Sequence, residues 1–218
     1  MKSKKYVYVG IAGAAVAAVI IAITQFNVIP ELNPNGQSSN QVAYLDFTYD
    51  EANFDIRSNL ALYHINMTKP IQLSTTPDIN QYCDFLTDPK KQALVTYCTS
   101  TELKDKQGFL GDVSMVGSTD LPGLVVVALQ SDPLLSNYAD VKTVFGVVLN
   151  STICPCWEKE EPGGFPTLSV LVDKLRDDHL NTKDPTTSTP VMSLGNKHFK
   201  IELTTNENGY LWKFLVSK

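Results

Sequence analysis

Residues 197–216 read Lys-His-Phe-Lys-Ile-Glu-Leu-Thr-Thr-Asn-Glu-Asn-Gly-Tyr-Leu-Trp-Lys-Phe-Leu-Val, and this stretch decides the fold class. Lys197–Leu203 and Tyr210–Val216 are rich in β-branched and aromatic residues, and the Thr-Thr-Asn-Glu-Asn-Gly segment between them ends in an Asn-Gly pair that tolerates positive φ. The spacing predicts a C-terminal β-hairpin. Working back along the chain, Gly123–Leu129 is a short apolar run suited to a buried strand, and Val42–Thr48 alternates loosely. Strands alone do not account for the rest.

Proline placed just inside a helix start, where its missing N–H is harmless, recurs along the chain. Thr76-Pro77 precedes Ile79, Tyr82, Cys83 and Leu86, and Asp88-Pro89 precedes Leu94, Tyr97 and Cys98, a pattern that predicts an αα-hairpin turning at Thr87-Asp88. Asp132-Pro133 opens a segment in which Leu134, Tyr138, Val141, Phe145 and Val148 keep a 3.6-residue period up to Asn150. Phe165-Pro166 or Thr167 begins another, with Leu168, Leu171, Val172 and Leu175 on one face. A less regular helix is expected around Glu51–His64. Helices that bury one stripe need a sheet face to bury it against, so the expected class is α+β, with a mainly antiparallel sheet and several proline-initiated helices.

The chain has 218 residues and is 43% hydrophobic, which suffices for one core rather than two. No repeat of solenoid length is present. Met1–Lys5 carries Lys2, Lys4 and Lys5, and the next charge is Glu31; between them, Tyr6–Thr24 is nineteen uncharged, largely apolar residues. As a helix such a run matches the hydrocarbon thickness of a bilayer, and lysines on its N-terminal side favour a cytoplasmic N-terminus. The expected organisation is a cytoplasmic basic end (1–5), a single-pass transmembrane signal-anchor (6–26), a breaker-rich linker (27–40) and one extracytoplasmic domain (41–218) at the cell membrane. Gly10, Ala14, Ala18 and Ala22 recur at i, i+4 and form a small-residue stripe on which a partner helix can dock.

Setting aside the three N-terminal lysines leaves 15 basic against 23 acidic residues, a formal charge of −8 on the exported part. That sign disfavours nucleic acid as a partner. Asn66-Met67-Thr68 and Asn150-Ser151-Thr152 are N-glycosylation sequons, expected on the surface of an exported glycoprotein. Asp177-Asp178-His179 ends a helix and is expected to face solvent; its alternative is a seed for a cation site. No G-x-S-x-G, H-E-x-x-H, P-loop or G-x-G-x-x-G motif occurs, which leaves catalysis without an obvious centre.

Four cysteines, Cys83, Cys98, Cys154 and Cys156, predict two disulfides in an oxidising compartment. With Cys83 and Cys98 both on helices of an αα-hairpin they fall out of register, and a bond between Cys154 and Cys156 closes over a single proline. Cross-pairing, with each of Cys154 and Cys156 joined to one of Cys83 and Cys98, is therefore the expected connectivity; splayed helices or a shorter second helix would reopen the Cys83–Cys98 bond. If instead the Cys-Pro-Cys thiols are free, they suit the soft Cu(I) ion or thiol redox chemistry.

Cys154, Cys156 and Trp157, followed by Glu158, Glu161 and Pro162-Gly163, resemble the Cys-x-Cys-aromatic signature of the single-anchor copper chaperones that help metallate cytochrome oxidase. The resemblance implies copper as a cofactor, held by Cys154 and Cys156, in an all-β domain. It spans residues 154–163 only; Pro155 stands where that family has an aromatic, and the helix read just before it departs from that fold. The leading expectation is a binding or accessory subunit of a larger membrane or cell-surface complex, with a protein partner or a second copy of itself. The alternatives are a copper or thiol module and, more weakly, a pilin-like filament subunit.

Overall fold

The computed structural model describes residues 43–86 and 88–218. The expected basic end, anchor, small-residue stripe and linker lie outside the described residues. Among the described residues no helix is long and apolar enough to cross a membrane.

The elements run α1 (Tyr49–Ala61), β1 (Asn66–Met67), β2 (Ile71–Leu73), α2 (Thr76–Tyr82), α3 (Pro89–Gln92), β3 (Tyr97–Lys104), β4 (Phe109–Gly117), β5 (Pro122–Ser131), α4 (Tyr138–Thr152), α5 (Trp157–Glu160), α6 (Leu168–Asn181), β6 (Thr186–Ser188), β7 (Met192–Leu194), β8 (Lys197–Asn206) and β9 (Gly209–Ser217). The strands form one antiparallel sheet in the order β1-β3-β4-β5-β9-β8-β6, with β2 also on β3 and β7 also on β8. This is the expected α+β class.

The hairpin forms as predicted, with Asn206 paired to Gly209, Leu203 to Trp212 and Phe199 to Val216. Glu207 and Asn208 make the turn, and the positive φ falls on Gly209. Alternation along the strands sorts the core. Phe199, Ile201, Leu203, Trp212, Phe214 and Val216 join Val125, Val127 and Leu129 of β5 on one face, and α1, α4 and α6 lie over them. On α4, Val141, Phe145 and Val148 are buried, as their period required, and Phe145 stacks 5.3 Å from Phe214. The opposite face holds a smaller apolar cluster of Ile79, Cys83, Cys98, Val116, Leu124, Val126 and Leu215.

Four local expectations are corrected. Val42–Thr48 is not a strand over its described part: Leu45 N donates to Pro122 O, and Thr48 caps α1 in a reciprocal capping box with Glu51. The second helix of the αα-hairpin shrinks to α3, while Tyr97 and Cys98 open β3, where Thr99 and Thr101 favour the extended chain over the weak helical spacing. Third, α4 starts at Tyr138 and not at Pro133, because the Asp132 carboxylate accepts from Leu134 N and Ser136 N in a turn that places Leu135 at φ 57°. Finally, among the described residues proline initiates only α2, α3 and the short 3-10 turn at Pro162–Gly164; α4 begins at an Asn137 cap, and α6 at Thr167, the second of its two expected starts.

Candidate functional site

The sheet has two ends. At one, Leu45 meets Pro122 in the β4–β5 turn, β9 finishes, and α4 runs down to the Cys-Pro-Cys loop beside the β7–β8 turn. The other end carries the exit of α1, the β3–β4 and β8–β9 turns, the β5–α4 loop and the end of α6. Each end gathers residues singled out above.

At the first end, Cys154 and Cys156 are bonded to each other, with Cα atoms 5.2 Å apart, and Cys83 is bonded to Cys98 with Cα atoms 6.5 Å apart. The expected cross-pairing is thus overturned. Its register argument required Cys98 on a helix; with Cys98 on β3 opposite Val116, the end of α2 comes within bridging reach. The Cys83–Cys98 pair is fully buried and ties α2 to the sheet. On the chain-entropy estimate a loop of this length adds ~3 kcal/mol, whereas the Cys154–Cys156 ring leaves much less entropy to remove.

The surroundings of Cys154 and Cys156 are firm. Ile153 N donates to Leu149 O at 2.8 Å, closing α4. Trp157 is buried, its indole N–H donates to Phe165 O at 2.9 Å, and its ring lies 5.5 Å from Phe199. Gly195 N donates to Glu160 Oε2 at 2.9 Å, and a Cβ on Gly195 would sit 3.9 Å from Cys154 Sγ. Reduced, the two sulfurs would offer soft donors; among the described residues no group of three or more His, Cys, Asp or Glu converges on one point.

At the second end, His179 is 3% exposed and so does not face solvent as the sequence suggested. Its Nδ1 bonds Thr187 Oγ1 at 2.9 Å and its Nε2 bonds Thr205 Oγ1 at 2.8 Å, with the Tyr210 ring edge-on at 5.9 Å. Burial lowers its pKa. The signal was in the sequence: His179 continues the stripe of Leu171 and Leu175 at i+4. Asp177 and Asp178 instead pair with Arg176 and Lys174. An open cavity of about 370 Å³ adjoins the histidine, bounded by Leu180, Thr182, Lys183, Asp184, Pro185, Thr205 and Tyr210.

Both sequon asparagines are exposed. Asn66 sits on edge strand β1, while Asn150 is on the last turn of α4, where the Thr152 hydroxyl of its sequon is buried and donates to Val148 O. One polar feature had no sequence signal. Glu102, Asp112, Ala128, Lys213 and Glu202 align across five strands on the sheet face away from α4, a register that only the pairing of distant strands reveals. There, burial first and the neighbouring Glu102 charge raise the Asp112 pKa to about 6, against the lowering bond from Ser114.

Compared with protein-family models, curated proteins and solved structures, the chain matches none. The functional reading rests on the residues themselves.

Proposed function

We propose that this chain is a membrane-anchored, extracytoplasmic binding or accessory subunit of a larger membrane or cell-surface complex, with residues 41–218 as the binding domain. The observation that carries the reading is a set of exposed apolar side chains at one end of the sheet, although others, such as Ile71 and Phe54, are exposed elsewhere. Leu134 (89% exposed), Leu62 (75%), Phe109 (61%) and Tyr63 (57%) all stand on loops or element ends at the sheet end remote from Leu45. Large apolar side chains gathered on loops suit a protein interface. The negative charge of the domain is consistent with a protein partner and works against nucleic acid.

The test is to express the full chain in membranes, cross-link it, and compare the native protein with a Leu134→Asp, Phe109→Asp double variant. The expected result is one dominant cross-linked partner, or a second copy of the chain, lost in the variant while the monomer stays folded. An identical cross-linking pattern for both proteins would overturn the reading.

A further inference from the structure

The two disulfides occupy opposite environments. Cys83 and Cys98 are fully buried among Val116, Leu124 and Leu215. Cys154 and Cys156 are half-buried on a surface loop and flank an exposed Pro155. A bridge with little loop entropy to remove is a weak staple, and an accessible disulfide is one that a thiolate can reach. The flanks of the loop are held independently of the sulfurs by the Ile153–Leu149, Trp157–Phe165 and Gly195–Glu160 hydrogen bonds. Opening the ring therefore leaves its frame standing.

We propose that Cys154 and Cys156 are a redox-active pair that exchanges with the dithiol of a partner protein, while Cys83–Cys98 is structural. In the exchange, a partner thiolate attacks one sulfur of the pair; the Cys154–Cys156 S–S bond breaks, a mixed disulfide forms, and the other cysteine leaves as a thiolate that takes up a proton. The partner's second thiol, losing its proton, then attacks the partner's own sulfur in the mixed disulfide: the mixed S–S bond breaks, the partner's disulfide forms, and the remaining cysteine leaves as a thiolate that takes up a proton. The net change is two electrons and two protons moved from the partner dithiol, which becomes a disulfide, to Cys154 and Cys156, which become thiols.

The experiment equilibrates the full chain in graded thiol–disulfide buffers, alkylates free thiols, and maps them by peptide mass spectrometry while near-ultraviolet circular dichroism reports the fold. The oxidised chain is also mixed with a synthetic dithiol peptide. Cys154 and Cys156 are expected to become alkylated together at a reductant concentration about tenfold or more below that needed for Cys83 and Cys98. The dichroism should be unchanged, and about one peptide disulfide should form per chain. A Cys154→Ser, Cys156→Ser variant should keep the fold and lose the transfer. Simultaneous reduction of both bridges, loss of fold on opening Cys154–Cys156, or no oxidation of the peptide would each overturn the proposal.

Discussion

The Tyr138 hydroxyl donates a 2.7 Å hydrogen bond to Asp173 Oδ1, joining the first turn of α4 to α6. Lys142 and Arg176 complete the cluster, both lying over the Tyr138 ring as well as against the carboxylate. Two helices that touch the sheet separately are thereby fixed to each other. Burial works to raise the Asp173 pKa, but hydrogen bonds from Tyr138 and Lys142 and the charges of Lys142 and Arg176 hold it below 3.8. A lowered carboxylate pKa contributes stability that is present above 3.8 and lost as pH falls through the folded-state value. Tyr138→Phe should cost about 1 kcal/mol at pH 7. Urea denaturation over a pH series from 7 downwards tests this: the cost should shrink as pH falls through the folded-state value of Asp173, and a cost that stays constant down to full protonation of the carboxylate would refute the ionic account.

Asp112 has the opposite sign. Its folded pKa, about 6, lies above the ordinary 3.8, so the folded state holds the proton more tightly. Its contribution favours folding below 3.8 and is lost as pH rises towards 6. Asp112→Asn, which keeps an oxygen for Ser114, should stabilise the domain at pH 7 by about 1 kcal/mol and make no difference near pH 3. Paired melting curves at the two values decide it, and a variant less stable at pH 7 would show that the carboxylate is needed charged.

His179 gives a third pH dependence. Burial holds the folded pKa below 6.5, so the unfolded chain takes the proton first and stability falls as pH drops below 6.5 through the folded value. His179→Gln should flatten that acid limb while costing about 1–2 kcal/mol at pH 7, since the amide cannot satisfy both Thr187 and Thr205 in the same geometry. Chemical-shift titration of the imidazole is the direct check; a midpoint at or above 6.5 would contradict the burial argument.

The sequence was most legible where a local signal and the tertiary environment agree. The hairpin follows from its β-rich runs and Asn-Gly turn, Gly123–Leu129 from its apolar run, and the helix at Leu168 from its apolar stripe behind Thr167, while the less regular helix expected over Glu51–His64 runs over Tyr49–Ala61. The β3–β4 hairpin went unread because Ser, Thr and charged residues interrupt its apolar positions, although the Asp105–Gly108 turn, with Asp105 accepting from Gln107 N and Gly108 N, had a local signal. The site was less legible. Cysteine pairing depends on whether residue 98 is helix or strand, and the β propensity of Thr99 and Thr101 outweighs the weak helical spacing of Leu94, Tyr97 and Cys98.

Gly209 and Gly108 separate conformational strain from steric conflict. Both have positive φ, 121° and 129°, but a Cβ on Gly209 would lie 2.4 Å from Ser131 O whereas one on Gly108 meets nothing within 4 Å. Gly108→Ala should cost only the backbone term, about 1 kcal/mol, and Gly209→Ala at least about 2 kcal/mol, because the β8–β9 turn must also move off the β5–α4 loop. Equal losses in chemical denaturation would mean that the contact relaxes freely.

The Cys83–Cys98 bridge should behave as a staple. It closes a fifteen-residue separation inside the smaller apolar cluster and is the only disulfide among the described residues joining α2 to the sheet. Replacing both cysteines by alanine, which leaves no unpaired thiol, should lower stability by ~3 kcal/mol on the chain-entropy estimate. The loss should appear mainly as local opening of residues 76–86 and 88–95, because α1, α4 and α6 bury their stripes on the other face of the sheet. Hydrogen exchange distinguishes the cases. Faster exchange confined to α2 and the neighbouring part of β3 is expected, and uniform acceleration across β5, β8 and β9 would show instead that the bridge supports the whole fold.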